Sequence, residues 1–175
     1  MLKKCLLLCA LLLAAPLPAA AADDYGSGLA AFTKGDYGEA RKLFQRLADQ
    51  GNADAQLKLG LMYHYGLGVK ENDEVAYDWL RKSALQANAE AQYQLANMYV
   101  YGFGVPKGEP DPDLQAVQWY FKAALQGHAE AQYNLGLMFL AGKGVQQSQE
   151  EGIKWITRAA EQGNPAAQSF LGGYK

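Results

Sequence analysis

The chain repeats itself, and this limits its possible folds more than any other feature. Four segments align: Asn52-Ala-Asp-Ala-Gln56, Asn88-Ala-Glu-Ala-Gln92, His128-Ala-Glu-Ala-Gln132 and Asn164-Pro-Ala-Ala-Gln168. Their starts are 36, 40 and 36 residues apart. Leu-Gly or Leu-Ala follows in each, at Leu59, Leu95, Leu135 and Leu171, and then an aromatic at Tyr63, Tyr99, Phe139 or, one place earlier, Tyr174. Three copies continue into Gly-x-Gly-Val, beginning at Gly66, Gly102 and Gly142, and close on Trp79, Trp119 or Trp155 with a pair of small residues. A period of this length marks a stacked array, in which each unit buries its apolar side only against its neighbours.

The pattern predicts a helix pair per unit. Asn52 and Asn88 suit an N-cap, because the side-chain oxygen accepts from free backbone N–H groups of the first turn. Ala55, Leu59, Met62 and Tyr63 fall on one helical face. Gly66 and Gly68 end that helix and turn the chain. Asn72, Asp111 and Ser148 are positioned to cap the second helix, with Pro112 in a first turn. Gly127 and Gly163 close their units, while Ala87 occupies the same place with a less suitable side chain. Gly60 and Gly136 inside helices each cost about 1 kcal/mol against alanine. The small column Ala40, Ala76, Ala116 and Gly152 suggests the compensation, a close crossing of the two helices.

The N-terminus reads as an export signal over residues 1–22. Lys3 and Lys4 precede an uncharged apolar run from Cys5 to Ala15, and Ala19 to Ala22 offers the small residues of a cleavage site. The run is short of the roughly 20 residues that a spanning helix needs. No stable membrane insertion is therefore expected after cleavage. Removing Lys3 and Lys4 lowers the basic count from 16 to 14, against 18 acidic residues, a net charge of −4. With no basic cluster, nucleic acid is not an expected partner. Cys5 and Cys9 both leave with the signal, so neither a disulfide nor a thiolate metal site is expected. The expected segments after the signal are 23–51, 52–87, 88–127 with a longer loop, 128–163, and a partial unit at 164–175.

These residues resemble Sel1-like repeats. The resemblance rests on Ala-x-x-x-Leu-Gly-x-x-Tyr, on Gly-x-Gly-Val, on Ala76 with Trp79 and Ala116 with Trp119, and on the ending Ala159 to Gly163, and it covers 52–175. The segment from Tyr25 to Gln50 is similar instead to a tetratricopeptide repeat. The resemblance implies an all-α fold, a right-handed α/α superhelical solenoid that serves as an adaptor or scaffold by binding another protein. Bacterial members are often exported, which implies the periplasm. Some act as immunity proteins against secreted toxic effectors. A cysteine-rich branch is associated with β-lactam binding and hydrolysis, and this cysteine-free mature chain departs from it.

Chemistry is sparsely signalled. Gly-x-Gly-Val lacks a third glycine, follows a helix, and recurs as a turn would, which argues against a nucleotide loop. His64 and His128 lie two units apart with no spacing for shared metal ligation. No serine has a histidine–acid relay, so no catalytic residue, metal or cofactor is expected, and an envelope-polymer or β-lactam hydrolase ranks low. The tryptophans read as core between units rather than as a stacking ladder for a ligand. Asp54, Glu90 and Glu130 recur in first turns, either as an acidic ladder for a basic partner or as complements to the helix dipole.

The outer face of the first helices is the expected partner-binding groove. It carries Asp54, Leu57, Leu61, His64 and Tyr65, then Glu90, Tyr93, Asn97 and Tyr101, then Glu130, Tyr133 and Leu137. Leu57, Tyr93 and Tyr133 share one column and fit packing between units equally well.

Overall fold

The computed structural model describes residues 19–109 and 111–173. The described residues form nine α-helices and no strand: α1 (Ala19–Thr33), α2 (Tyr37–Asp49), α3 (Ala53–Tyr65), α4 (Asp73–Leu85), α5 (Ala89–Tyr101), α6 (Pro112–Leu125), α7 (Ala129–Ala141), α8 (Gln149–Glu161) and α9 (Pro165–Gly173). Successive helices pack on one another in order, which makes the chain an all-α solenoid of helix pairs. The expected signal segment and its cysteines lie outside the described residues up to position 18. The expected cut after Ala22 falls within α1. Tyr174 is also outside the described residues.

The caps follow the sequence. Asn52, Asn88 and His128 accept the backbone N–H of Ala55, Ala91 and Ala131, and Asn72, Asp111 and Ser148 do the same for the second helices. The Gly-x-Gly turn has two separate causes. Its first glycine is a left-handed cap, with φ of 66°, 72° and 67° at Gly66, Gly102 and Gly142. Its second glycine seats the turn on the preceding pair. A Cβ on Gly104 would stand 2.0 Å from the Asp73 carbonyl oxygen, and Gly68 and Gly144 press on Tyr37 and Asp113 in the same way.

The core runs along the axis of the stack. Leu59, Leu95 and Leu135 are fully buried, each contributing about 1.5–3 kcal/mol. Trp119 and Trp155 are buried and Trp79 is half-buried against the N-terminal cluster, so the column is core. A cation on the following turn covers each indole: Lys82 at 3.9 Å, Lys122 at 3.9 Å and Arg158 at 4.5 Å. The close crossing is present in the third repeat, where a Cβ on Gly136 would lie 2.7 Å from the Gly152 carbonyl oxygen. In the first repeat the tight contact over Gly60 is with Leu80, one turn beyond the small column.

A chain of buried glutamines links the pairs, a role the sequence pattern alone did not reveal. Gln56, Gln92 and Gln132 donate to the carbonyls of Ala48, Ala84 and Ala124 in the preceding pair, at 3.0–3.1 Å. Each accepts in turn from the glutamine that ends its own unit's second helix: Gln86 at 2.8 Å, Gln126 at 2.8 Å and Gln162 at 2.6 Å. Buried amides must be bonded, so this relay sets the register between neighbours.

Candidate functional site

The first helices of inner units are enclosed on two sides, which changes the expected groove. Leu59 and Met62 of α3 face the N-terminal cluster, while Leu57 enters the central cluster at 7% exposure. A projection with one buried face describes a surface helix, whereas α3 has a neighbouring pair on each side. Leu57 is therefore packing between units and not groove surface. Tyr93 and Tyr133 are half-buried in the same column. Tyr93 stacks on His128 with centroids 4.6 Å apart, and Tyr133 packs on the C-terminal cluster. Leu61 and Leu137 are also half-buried, against the central and C-terminal clusters.

The acidic residues have local partners. Asp54 accepts from Asn88 Nδ2 at 2.8 Å, and a Glu90 oxygen lies 2.9 Å from His128 Nε2. In both junctions the first-turn acid of one repeat meets the cap of the next. Glu90 also accepts from Gln94 at 2.6 Å, and Glu130 lies 3.3 Å from Nδ1 of His128. The alternatives of dipole complement and partner ladder both missed this tie, because it needs the distance between successive helix starts.

The exposed part of the face is aromatic. Tyr65 is 59% exposed, Tyr101 67% and Phe103 42%. His64 joins them, with ring centroids 4.7 Å from Tyr65 and 5.5 Å from Phe103, and Tyr101 lies 5.8 Å from Phe103. A hydrogen bond between His64 Nδ1 and Asp73 Oδ1, 2.6 Å apart, ties the imidazole to the start of α4. Phe103 did not stand out in the sequence because it falls within the Gly-x-Gly turn. Its signal was an aromatic where the other copies carry Leu67 and Lys143.

Tyr101 divides two recesses. The smaller, about 150 Å³, is lined by His64, Tyr65, Asn97, Met98 and Phe103 among others. The larger, about 300 Å³, takes in Val100, Asp113, Tyr120, Leu137 and Lys143. Asn97 accepts from the Tyr120 hydroxyl at 2.5 Å, and that hydroxyl accepts from Asn134 Nδ2 at 3.2 Å. Burial pushes the Tyr120 phenol well above its ordinary value, which keeps it a donor to Asn97. Asn97 thus belongs to a polar floor joining α5, α6 and α7. Among the described residues no group of three His, Cys, Asp or Glu side chains is placed to hold a metal ion, and no helix is long and apolar enough to cross a membrane.

Stacked helix pairs tied by a buried amide relay, with an aromatic face at the ends of the first helices, define an α/α repeat solenoid. Residues 19–52, 53–88, 89–128 and 129–164 each match the Sel1 repeat model, and the chain belongs to the Sel1 repeat family. The first match includes the segment whose sequence is similar to a tetratricopeptide repeat. A Sel1 repeat protein from Oxalobacter formigenes is 35% identical with a TM-score of 0.77, over 85% of this chain and 59% of that one. A protective antigen present in uropathogenic Escherichia coli strains, displaying an SLR fold, is 32% identical with a TM-score of 0.50, over 88% of this chain and 41% of that one. The chain therefore spans less than two thirds of either protein. Cysteine rich protein B of Helicobacter pylori shares the fold, at 23% identity and a TM-score of 0.54 over 74% of this chain and 96% of that one. No curated protein sequence matches the chain.

Proposed function

We propose that this protein is a non-catalytic interaction module of the cell envelope, exported to the periplasm, and that it binds another protein through the face around Tyr65, Tyr101 and Phe103. One observation carries this reading: three large aromatic side chains stay exposed together beside two recesses, in a fold whose core is complete without them. Clustered exposed apolar surface favours association, and tyrosine is enriched where proteins meet. The export half rests on the N-terminal sequence, with its two lysines, apolar run and small-residue site. Neutralising a toxic effector would be one form of the same contact.

The test is affinity capture from the protein's own periplasmic fraction, comparing the native chain with a Tyr65→Glu, Tyr101→Glu, Phe103→Glu variant. The variant should keep its helical circular dichroism and lose the captured partner. Leu61 and Leu137 are left intact, because charge at half-buried positions would disturb packing. Capture of the same partner at native yield would refute the face assignment. Recovery of the protein in the cytoplasm with Met1 attached would refute export.

A further inference from the structure

Where the N-terminal pair meets the first full repeat, a cleft of about 510 Å³ is lined by Arg41 of α2, Tyr63 of α3 and the loop residues Val69, Lys70, Glu71 and Asn72. The Nε of Arg41 is shut off from solvent and has no hydrogen-bond partner. Among the described residues neither Arg41 nor Lys70 takes part in an ion pair. Buried donors in folded proteins are almost always bonded; this one lies behind the cleft surface, so a ligand in the cleft would meet the other guanidinium nitrogens.

The other repeats show that the fold does not require these charges. The residues at the Arg41 position are Tyr77, Val117 and Ile153, and those at the Lys70 position are Pro106 and Gln146. In the next junction the matching cleft, about 930 Å³, stays open with Tyr77 in the Arg41 place, its hydroxyl 2.7 Å from that of Tyr99 and so bonded where Arg41 is not. Tyr63 is the counterpart of Tyr99, and its hydroxyl has no bond to Arg41 or to any other described residue.

We propose that Arg41 and Lys70 form a binding site for a single carboxylate. The guanidinium fork matches a carboxylate with two parallel N–H bonds, and Lys70 supplies a second positive charge. The Tyr63 hydroxyl is an available donor. So is Nδ2 of Asn72, whose Oδ1 is already taken by the Val75 N–H. Glu71 brings the lining to a net charge of +1, which suits a monoanion better than a polyphosphate. The carboxylate comes either from a small diffusible acid or from an acidic side chain of a bound protein.

The full chain, labelled with ¹⁵N, is titrated with sodium acetate and separately with an amidated tripeptide carrying one central glutamate. The Arg41 Nε–H and Asn72 Nδ2–H resonances are followed, with sodium chloride at matched ionic strength as control. A saturable shift is expected, weakened at least fivefold by Lys70→Gln and lost at Asn72 in Arg41→Met. Saturation by acetate identifies a small acid as sufficient, and saturation by the tripeptide alone identifies a protein side chain. No saturation by either probe, an equal response to chloride, or an unchanged Asn72 response in Arg41→Met overturns the site. Stability gives a second readout. Arg41→Met keeps the apolar stem and removes the unbonded N–H, so its melting temperature without ligand should match or exceed the native one. A fall of about 5 °C or more would make Arg41 structural and overturn the proposal.

Discussion

His128 joins two repeats through one ring: its Nδ1 accepts the Ala131 N–H at 3.2 Å, and its Nε2 lies 2.9 Å from a Glu90 oxygen. With the Nδ1 lone pair engaged by the backbone, the proton sits on Nε2 and is donated to Glu90. Asn88 does the same work one junction earlier, capping Ala91 with its oxygen and donating its amide N–H to Asp54. The cap column must hold one acceptor for its own helix and one donor for the preceding acid. Asparagine and neutral histidine both meet that requirement.

The Glu90 tie predicts a pH dependence. Its carboxyl is held below the ordinary 4.5, chiefly by the His128 hydrogen bond, with burial opposing. A depressed folded value stabilises above the unfolded value and is lost as pH falls through the folded one. Thermal melts from about pH 3 to 7 should show the native chain above Glu90→Gln near neutrality, with the gap closing in acid. The effect is small because the side chain is 44% exposed. Repeating the pair in a His128→Asn background changes the Glu90 partner while keeping cap and donor. A gap that does not change with pH would mean that the charge contributes nothing.

Breaking the amide relay should cost more than its surface area implies. Gln92 is 4% exposed, donates to the Ala84 carbonyl at 3.1 Å and accepts from Gln126 at 2.8 Å. Gln92→Leu keeps the bulk and leaves both partners short of a bond, at a cost of about 1–3 kcal/mol. Urea unfolding at neutral pH measures it. A companion Gln126→Leu should lose less, because its side chain is more exposed.

One turn is open to improvement. Ala87 adopts φ 64° where Gly127 and Gly163 adopt 88°. A Cβ in the left-handed region costs roughly 1–2 kcal/mol, partly offset by the entropy glycine loses on folding. Ala87→Gly should therefore stabilise by about 0.5–1 kcal/mol, read as a higher urea midpoint. A lower midpoint would show that the turn is relaxed by its neighbours.

The aromatic face was only partly legible in the sequence. Tyr65 and Tyr101 stood out by helical position, and the structure leaves both exposed. Phe103 was hidden in a turn motif, and Leu57 was placed on the outer face. Periodicity within one helix assigns a residue to a side of that helix. It does not say whether a second pair covers that side. Arg41 gave a sequence signal only by differing from Tyr77, Val117 and Ile153, and its unbonded Nε emerged only from packing.

The sequence by itself determined the helix pairs, their caps, the glycine turns and the tryptophan column. These depend on local backbone preference and on residue types recurring at a fixed spacing. Tertiary structure decided what the recurring polar residues do. Asp54 and Glu90 meet the next cap, Gln56, Gln92 and Gln132 accept from the glutamine that ends their own unit's second helix, and Gly104 seats on Asp73, because stacking brings residues 30–40 positions apart within bonding distance.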